Sequence, residues 1–114
     1  MVNNGANVNT KGILGNTALM WAAIKGHRDI CEVLVTNGAD VNVKNNDGYT
    51  ALICAASNGY IETCEILVIH GADVNTKNSN GYTALMRAAI KGHVDICEIL
   101  VTNGADANTK NVSG

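Results

Sequence analysis

The sequence predicts an all-α fold: a solenoid of stacked helix-turn-helix units joined by hairpin-like loops. Three observations carry this. The chain repeats at a period of 33 residues without a gap, as GNTALMWAAIKGHRDICEVLVTNGADVNVKNND, GYTALICAASNGYIETCEILVIHGADVNTKNSN and GYTALMRAAIKGHVDICEILVTNGADANTKNVS. Each unit holds two short segments with apolar residues at helical spacing. A Gly follows each segment, where a helix is commonly terminated.

The elements follow in chain order. The opening VNNGANVNTKGIL aligns with VTNGADVNVKNND, the closing half of a unit, so the reading divides the chain into a partial unit 1–13, full units 14–46, 47–79 and 80–112, and the start of another at 113–114. Thr17, Thr50 and Thr83 suit the N-caps of ALMWAAIK, ALICAASN and ALMRAAIK. One linking residue after the terminating Gly, the second helices RDICEVLVTN, IETCEILVIH and VDICEILVTN begin, closed by Gly38, Gly71 and Gly104. The ADVNVKNNDGY that follows is rich in Asn, Asp and Gly, includes Asp47-Gly48, and reads as an extended hairpin-like loop reaching toward the next unit.

Columns that stay apolar through all units are expected to be inter-unit core, because one unit cannot bury its apolar face alone. They are Leu19, Leu52 and Leu85; Ala22, Ala55 and Ala88; Ala23, Ala56 and Ala89; Leu34, Leu67 and Leu100; and Val33, Ile66 and Ile99. The paired Ala columns allow first helices to approach closely.

With 114 residues the chain is one domain, too short for two independent cores. A net charge of −2 and no Lys or Arg cluster longer than a pair argue against nucleic acid or an anionic membrane as partner. No apolar run approaches the roughly 18 residues of a membrane span, and the N-terminus has neither a basic start nor an apolar h-region.

Cys31, Cys64 and Cys97 fall in one column. Stacked helices lie about 8–10 Å apart, too far for a disulfide, which needs Cα atoms within roughly 7 Å. His27 with Cys31 and His93 with Cys97 could share a helical face, but Tyr60 replaces the His in the middle unit and structural zinc wants four ligands. No metal and no cofactor are expected. Reduced, buried thiols point to an intracellular compartment, with the cytoplasm the expected location. No nucleophile–base pair or phosphate-gripping loop is present, so no enzyme activity is expected.

The residues that recur, G-x-T-A-L-x-x-A-A, then G-H, then L-V-x-x-G-A-D-V-N, resemble ankyrin repeats over essentially the whole chain. The departure is T-A-L-M or T-A-L-I where that family usually has T-P-L-H, so the helix starts lack the Pro that would pre-organise them and the His that would brace the Thr. The resemblance implies an ankyrin-repeat solenoid and a non-enzymatic protein–protein interaction module whose first helices and hairpin tips line a concave groove. The columns that vary mark candidate contacts. Trp21, Ile24 and Lys25 are three and four residues apart and share a helical face; Ser57 and Asn58 in the second unit, and Arg87, Ile90 and Lys91 in the third, occupy the matching columns. Tyr49 and Tyr82, with Asn46, Asp47 and Asn80, extend the surface along the loops. Trp, Tyr and Arg are the types enriched at binding hot spots.

Asn42, Asn75 and Asn108, each eight residues after a Leu, resemble acceptors of an intracellular asparaginyl hydroxylase; the weightier reading is that such an Asn bonds its own backbone in a turn. The near identity of the first and third units suggests a duplication within a longer array. With only Ser113 and Gly114 after the third unit and no polar capping unit, head-to-tail self-association through apolar ends is expected. The alternative function is a structural spacer: a length of solenoid with no dedicated partner. A designed, consensus-derived stack is disfavoured by the missing T-P-L-H and caps.

Overall fold

The computed structural model describes residues 7–108. The first six residues of the partial unit, the end of the third unit from residue 109, and residues 113–114 lie outside the described residues. Six helices form three antiparallel pairs: α1 Ala18–Lys25 with α2 Arg28–Thr36, α3 Ala51–Asn58 with α4 Ile61–Ile69, and α5 Ala84–Lys91 with α6 Val94–Thr102. A single 3-10 turn, Ile13–Gly15, precedes them. No strand occurs among the described residues. First helices pack on first helices and second on second, giving a two-layer stack 45 Å long and 25 by 20 Å across.

Helix starts and stops are local. The hydroxyl oxygens of Thr17, Thr50 and Thr83 accept the backbone N–H of Met20, Ile53 and Met86 at 3.3, 3.2 and 3.2 Å. These are N-caps, made without the missing Pro. Each first helix ends in a Schellman motif: His27 N–H donates to Ala22 O at 2.9 Å and Gly26 N–H to Ala23 O at 3.2 Å, and the pattern recurs at Gly59 and Gly92. The second helices close the same way, with Gly38, Gly71 and Gly104 at φ between 94° and 97°. They have no side-chain N-cap; Asp29, Glu62 and Asp95 stand in their first turns, favourable beside the positive end of the helix dipole.

The core lies between the layers and is deepest in the middle unit, where Leu52, Ile53, Ala55, Ala56, Cys64 and Leu67 are at most 1% exposed. The Ala columns bring first helices together, and that layer is the more closely packed; α4 and α6 make the loosest contact in the stack. Three of the expected core columns are only partly buried. In the column of Val33, Ile66 and Ile99, Ile66 is buried, Ile99 is half-buried and Val33 is 57% exposed. Leu85 is half-buried and Ala89 exposed, unlike their counterparts in the first two units. A column residue is covered only where a neighbouring unit stands on the correct side, and among the described residues α2 and α5 have a neighbour on one side only.

Neighbouring units are also stapled through their loops. Asn42 Nδ2 donates to Gly71 O at 3.2 Å while its Oδ1 accepts Asp73 N–H at 2.8 Å, and Asn75 repeats this with Gly104 and Asp106 at 3.1 and 2.7 Å. Asn9 does the same toward Gly38 and Asp40. The expectation that these Asn side chains serve their own turns is therefore corrected. The Asp two residues earlier takes that role, with Asp40, Asp73 and Asp106 accepting the N–H of Asn42, Asn75 and Asn108. This leaves the amides of Asn42 and Asn75 to span to the next unit. The loop tips are joined by Asn46 N–H to Leu14 O and Ser79 N–H to Asp47 O, both 3.0 Å.

Candidate functional site

Trp21 is 43% exposed although Met20 and Ala22 beside it are 1% and 5% exposed. The helix turns Met20 and Ala22 inward, and the intervening position points away from the core. Its column changes character along the stack: Trp21 is exposed, Cys54 is buried at 7%, and Arg87 is half-buried.

Arg87 is held by two other candidates. Its Nε–H donates to Ser57 Oγ at 3.2 Å, and its guanidinium carbon lies 5.8 Å from the centre of the Tyr82 ring, within cation–π range. Ser57, Tyr82 and Arg87 thus form one cluster across the second and third units. Asn58 Nδ2 donates to Ile24 O at 3.3 Å, so one candidate side chain caps the helix end next to another. Lys25, Asn46, Asp47, Asn80 and Lys91 are exposed, Ile90 is 59% exposed, and Ile24 and Tyr49 are half-buried. The backbone N–H groups of Asp47 and Tyr49 both donate to Asn45 Oδ1, and those of Asn80 and Tyr82 to Asn78 Oδ1, so the turn asparagines set the loop tips.

The electrostatics separate by layer. The first helices contain Lys25, Arg87 and Lys91 and no acidic residue. The second helices contain Asp29, Glu32, Glu62, Glu65, Asp95 and Glu98 against the single cation Arg28. This segregation is missed by the net charge of −2, in which the two layers nearly cancel. On the second-helix side a groove of about 790 Å³ opens between α4 and α6, a feature absent from the sequence-based candidates.

The described cysteines are unbridged. Burial pushes the thiols of Cys31 and Cys54 up to about 11 and that of Cys64 up to about 12, where they stay protonated and unreactive at neutral pH. No group of three or more His, Cys, Asp or Glu side chains suited to a metal ion occurs among the described residues. Asn42 and Asn75 are exposed but have both ends of their amides engaged; Asn108 is exposed, and its backbone N–H is taken by Asp106.

Paired helices in register at a 33-residue period, capped by Thr and closed by Gly, define a stacked-repeat protein. A family model described as Ankyrin repeats (3 copies) matches residues 1–78 and again 40–111, and the chain belongs to the ankyrin-repeat family. No curated protein matched the chain. Members of this family are generally protein-binding modules and typically not catalysts. No helix among the described residues is long and apolar enough to cross a membrane.

Proposed function

We propose that this chain is a protein–protein interaction module that takes an extended partner along its first helices and loop tips, in a reducing intracellular compartment and without catalysis of its own. The observation that carries this is Trp21: a large aromatic side chain, 43% exposed on a helix whose adjacent positions are buried. Exposed aromatic anchors with nearby cations are the usual centres of binding energy. Lys25 lies one turn away, and Lys91 with the Arg87–Tyr82–Ser57 cluster continues the surface. The basic, acid-free character of this layer favours a partner with acidic and apolar side chains.

The test is an affinity capture from host lysate with wild type, Trp21→Ala and Lys25→Glu/Lys91→Glu in parallel, read by quantitative mass spectrometry. A protein enriched on wild type and depleted on both variants supports the reading. Equal capture on all three favours the spacer, in which the segment contributes length alone.

We further propose head-to-tail association of copies. Its support is the apolar surface at the two ends of the described stack: Ile30 and Val33 are 50% and 57% exposed at one end, and Ile90 and Val101 are 59% and 52% exposed at the other. Sedimentation velocity across a concentration series tests it, and a sedimentation coefficient that stays constant counts against it. Asn42, Asn75 and Asn108 are read as structural staple positions. An added oxygen on any of them, found by peptide mass spectrometry of chain made in a hydroxylase-containing host, would make it a modification acceptor.

A further inference from the structure

We propose that the groove between α4 and α6 is a second docking site, on the opposite layer from Trp21, and that its occupant is a basic amphipathic helix of a partner protein. The groove is apolar within and acidic at its edges. Ile66 lies at its base at 5% exposure, Ile69 stands in its wall at 75%, and Ile99 faces them half-buried. Glu62 and Glu65 on one helix and Asp95 and Glu98 on the other also line it, four carboxylates against the single cation Arg28, which reaches the groove from α2 and pairs there with its own Asp29 and Glu32.

The first unit shows what balances such carboxylates. There Arg28 Nη1 lies 3.1 Å from Asp29 Oδ1 and 3.3 Å from Glu32 Oε1, pairing both acids of α2. The residues that replace Arg28 in the next two units are Ile61 and Val94. Glu62, Glu65, Asp95 and Glu98 consequently have no ion-pair partner among the described residues. The position that contacts two acids in the first unit adds exposed apolar surface in the others, with Ile61 at 38% and Val94 at 68%. A ligand that fits must supply cations and apolar surface together.

The geometry selects a helix. On α4 the lining residues Glu62, Glu65, Ile66 and Ile69 follow the i, i+3, i+4, i+7 spacing, and on α6 Asp95, Glu98, Ile99 and Thr102 follow the same spacing. Two such stripes side by side, each on a nine-residue helix, form the seat that a third helix occupies in helix-in-groove recognition. The loose contact of α4 with α6 leaves room for it. Apolar side chains of the guest would cover Ile66, Ile69 and Ile99, and Lys or Arg on its flanks would meet the four carboxylates.

The probe is a fluorescein-labelled synthetic peptide of about 18 residues, long enough for five helical turns, with Leu along one face and Lys elsewhere. It is titrated with the chain by fluorescence anisotropy. Controls are a scrambled peptide of equal composition and one with Glu in place of Lys. Saturable binding is expected, weakened at least about tenfold by Glu65→Lys/Glu98→Lys, and also weakened, by a smaller factor, by Glu65→Gln/Glu98→Gln and by about 0.5 M salt. Lys25→Glu/Lys91→Glu, on the other layer, should not weaken it, which separates this site from the proposed partner surface. Circular dichroism establishes that each variant is folded. Absence of saturation, equal binding of the scrambled peptide, or indifference to both Glu65/Glu98 variants overturns the proposal. So does a dimer, seen by sedimentation without peptide, that Glu65→Lys/Glu98→Lys dissolves, since the occupant would then be a second copy of the chain.

Discussion

Asn45 Nδ2 donates to Asn16 Oδ1 at 3.0 Å, joining the loop that closes the first full unit to the start of that same unit. One period further on, Asn78 takes the place of Asn45, but Tyr49 stands where Asn16 would be. Asn78 is 6% exposed, its Nδ2 has no hydrogen-bond partner, and its Oδ1 accepts from the N–H groups of Asn80 and Tyr82. Turning the amide over would lose those two bonds, so the orphan donor is a consequence of the Asn-to-Tyr change in the column.

This pair gives the first prediction. Asn16→Ala removes the acceptor for Asn45 and should destabilise the fold by about 1 kcal/mol, at the low end for a lost hydrogen bond because Asn45 is half-buried and water can reach it. Urea denaturation of the variant and wild type at equal m-value checks this. No change in midpoint would mean that the Asn16–Asn45 bond adds nothing net over solvation.

Gly59 makes the second. It sits at φ +81°, and a Cβ there would lie 2.7 Å from the His93 ring of the next unit. Gly59→Ala should therefore cost about 1–2 kcal/mol from the left-handed backbone alone, with a further cost for displacing the ring. Gly92, at φ +78° with nothing near its missing Cβ, isolates the backbone part. A thermal melt in which Gly59→Ala loses no more stability than Gly92→Ala would show that the His93 contact is slack.

The third concerns Trp21 and its neighbour. Trp21→Ala should cost about 1–2 kcal/mol, because 43% of the residue already meets water, whereas Met20→Ala, at 1% exposure, should cost about 2–4 kcal/mol by leaving a cavity. The emission of Trp21, the single tryptophan, should be readily quenched by acrylamide. Similar losses for both substitutions would place Trp21 energetically in the core.

Thiol burial sets the fourth. Because the folded pKa values of Cys31, Cys54 and Cys64 are raised to about 11, 11 and 12 from an ordinary value near 9, the folded state holds protons that the unfolded chain releases in that interval. Stability from this source is fully present below pH about 9 and is lost as pH rises toward 11–12, at about 1 kcal/mol per pH unit per thiol. Melting temperature measured across that range should fall less steeply in Cys31→Ala/Cys64→Ala than in wild type. At neutral pH, the half-buried Cys97 should react with a disulfide reagent before the other three.

The sequence alone determined the repeat and nearly every helix boundary. Thr caps, Schellman glycines and apolar spacing act over three to six residues, and those residues are adjacent in the chain. It also placed Trp21 off the core, since a position that accepts Trp, Cys and Arg is under no common packing constraint. What it did not contain was the use of groups that meet across a period. Arg87 reads as a free cation until Ser57 and Tyr82 are seen beside it. Asn42 and Asn75 read as turn residues until Gly71, Asp73, Gly104 and Asp106 arrive from the following unit. Val33, Leu85 and Ala89 match their buried counterparts in type, yet their burial depends on whether another unit covers them. The acidic groove between α4 and α6 arises the same way, from Ile61 and Val94 replacing one arginine and from helices that stack less closely than their Ala-lined partners. Short-range geometry is written residue by residue, whereas burial, charge pairing and grooves belong to surfaces that exist only once the units are stacked.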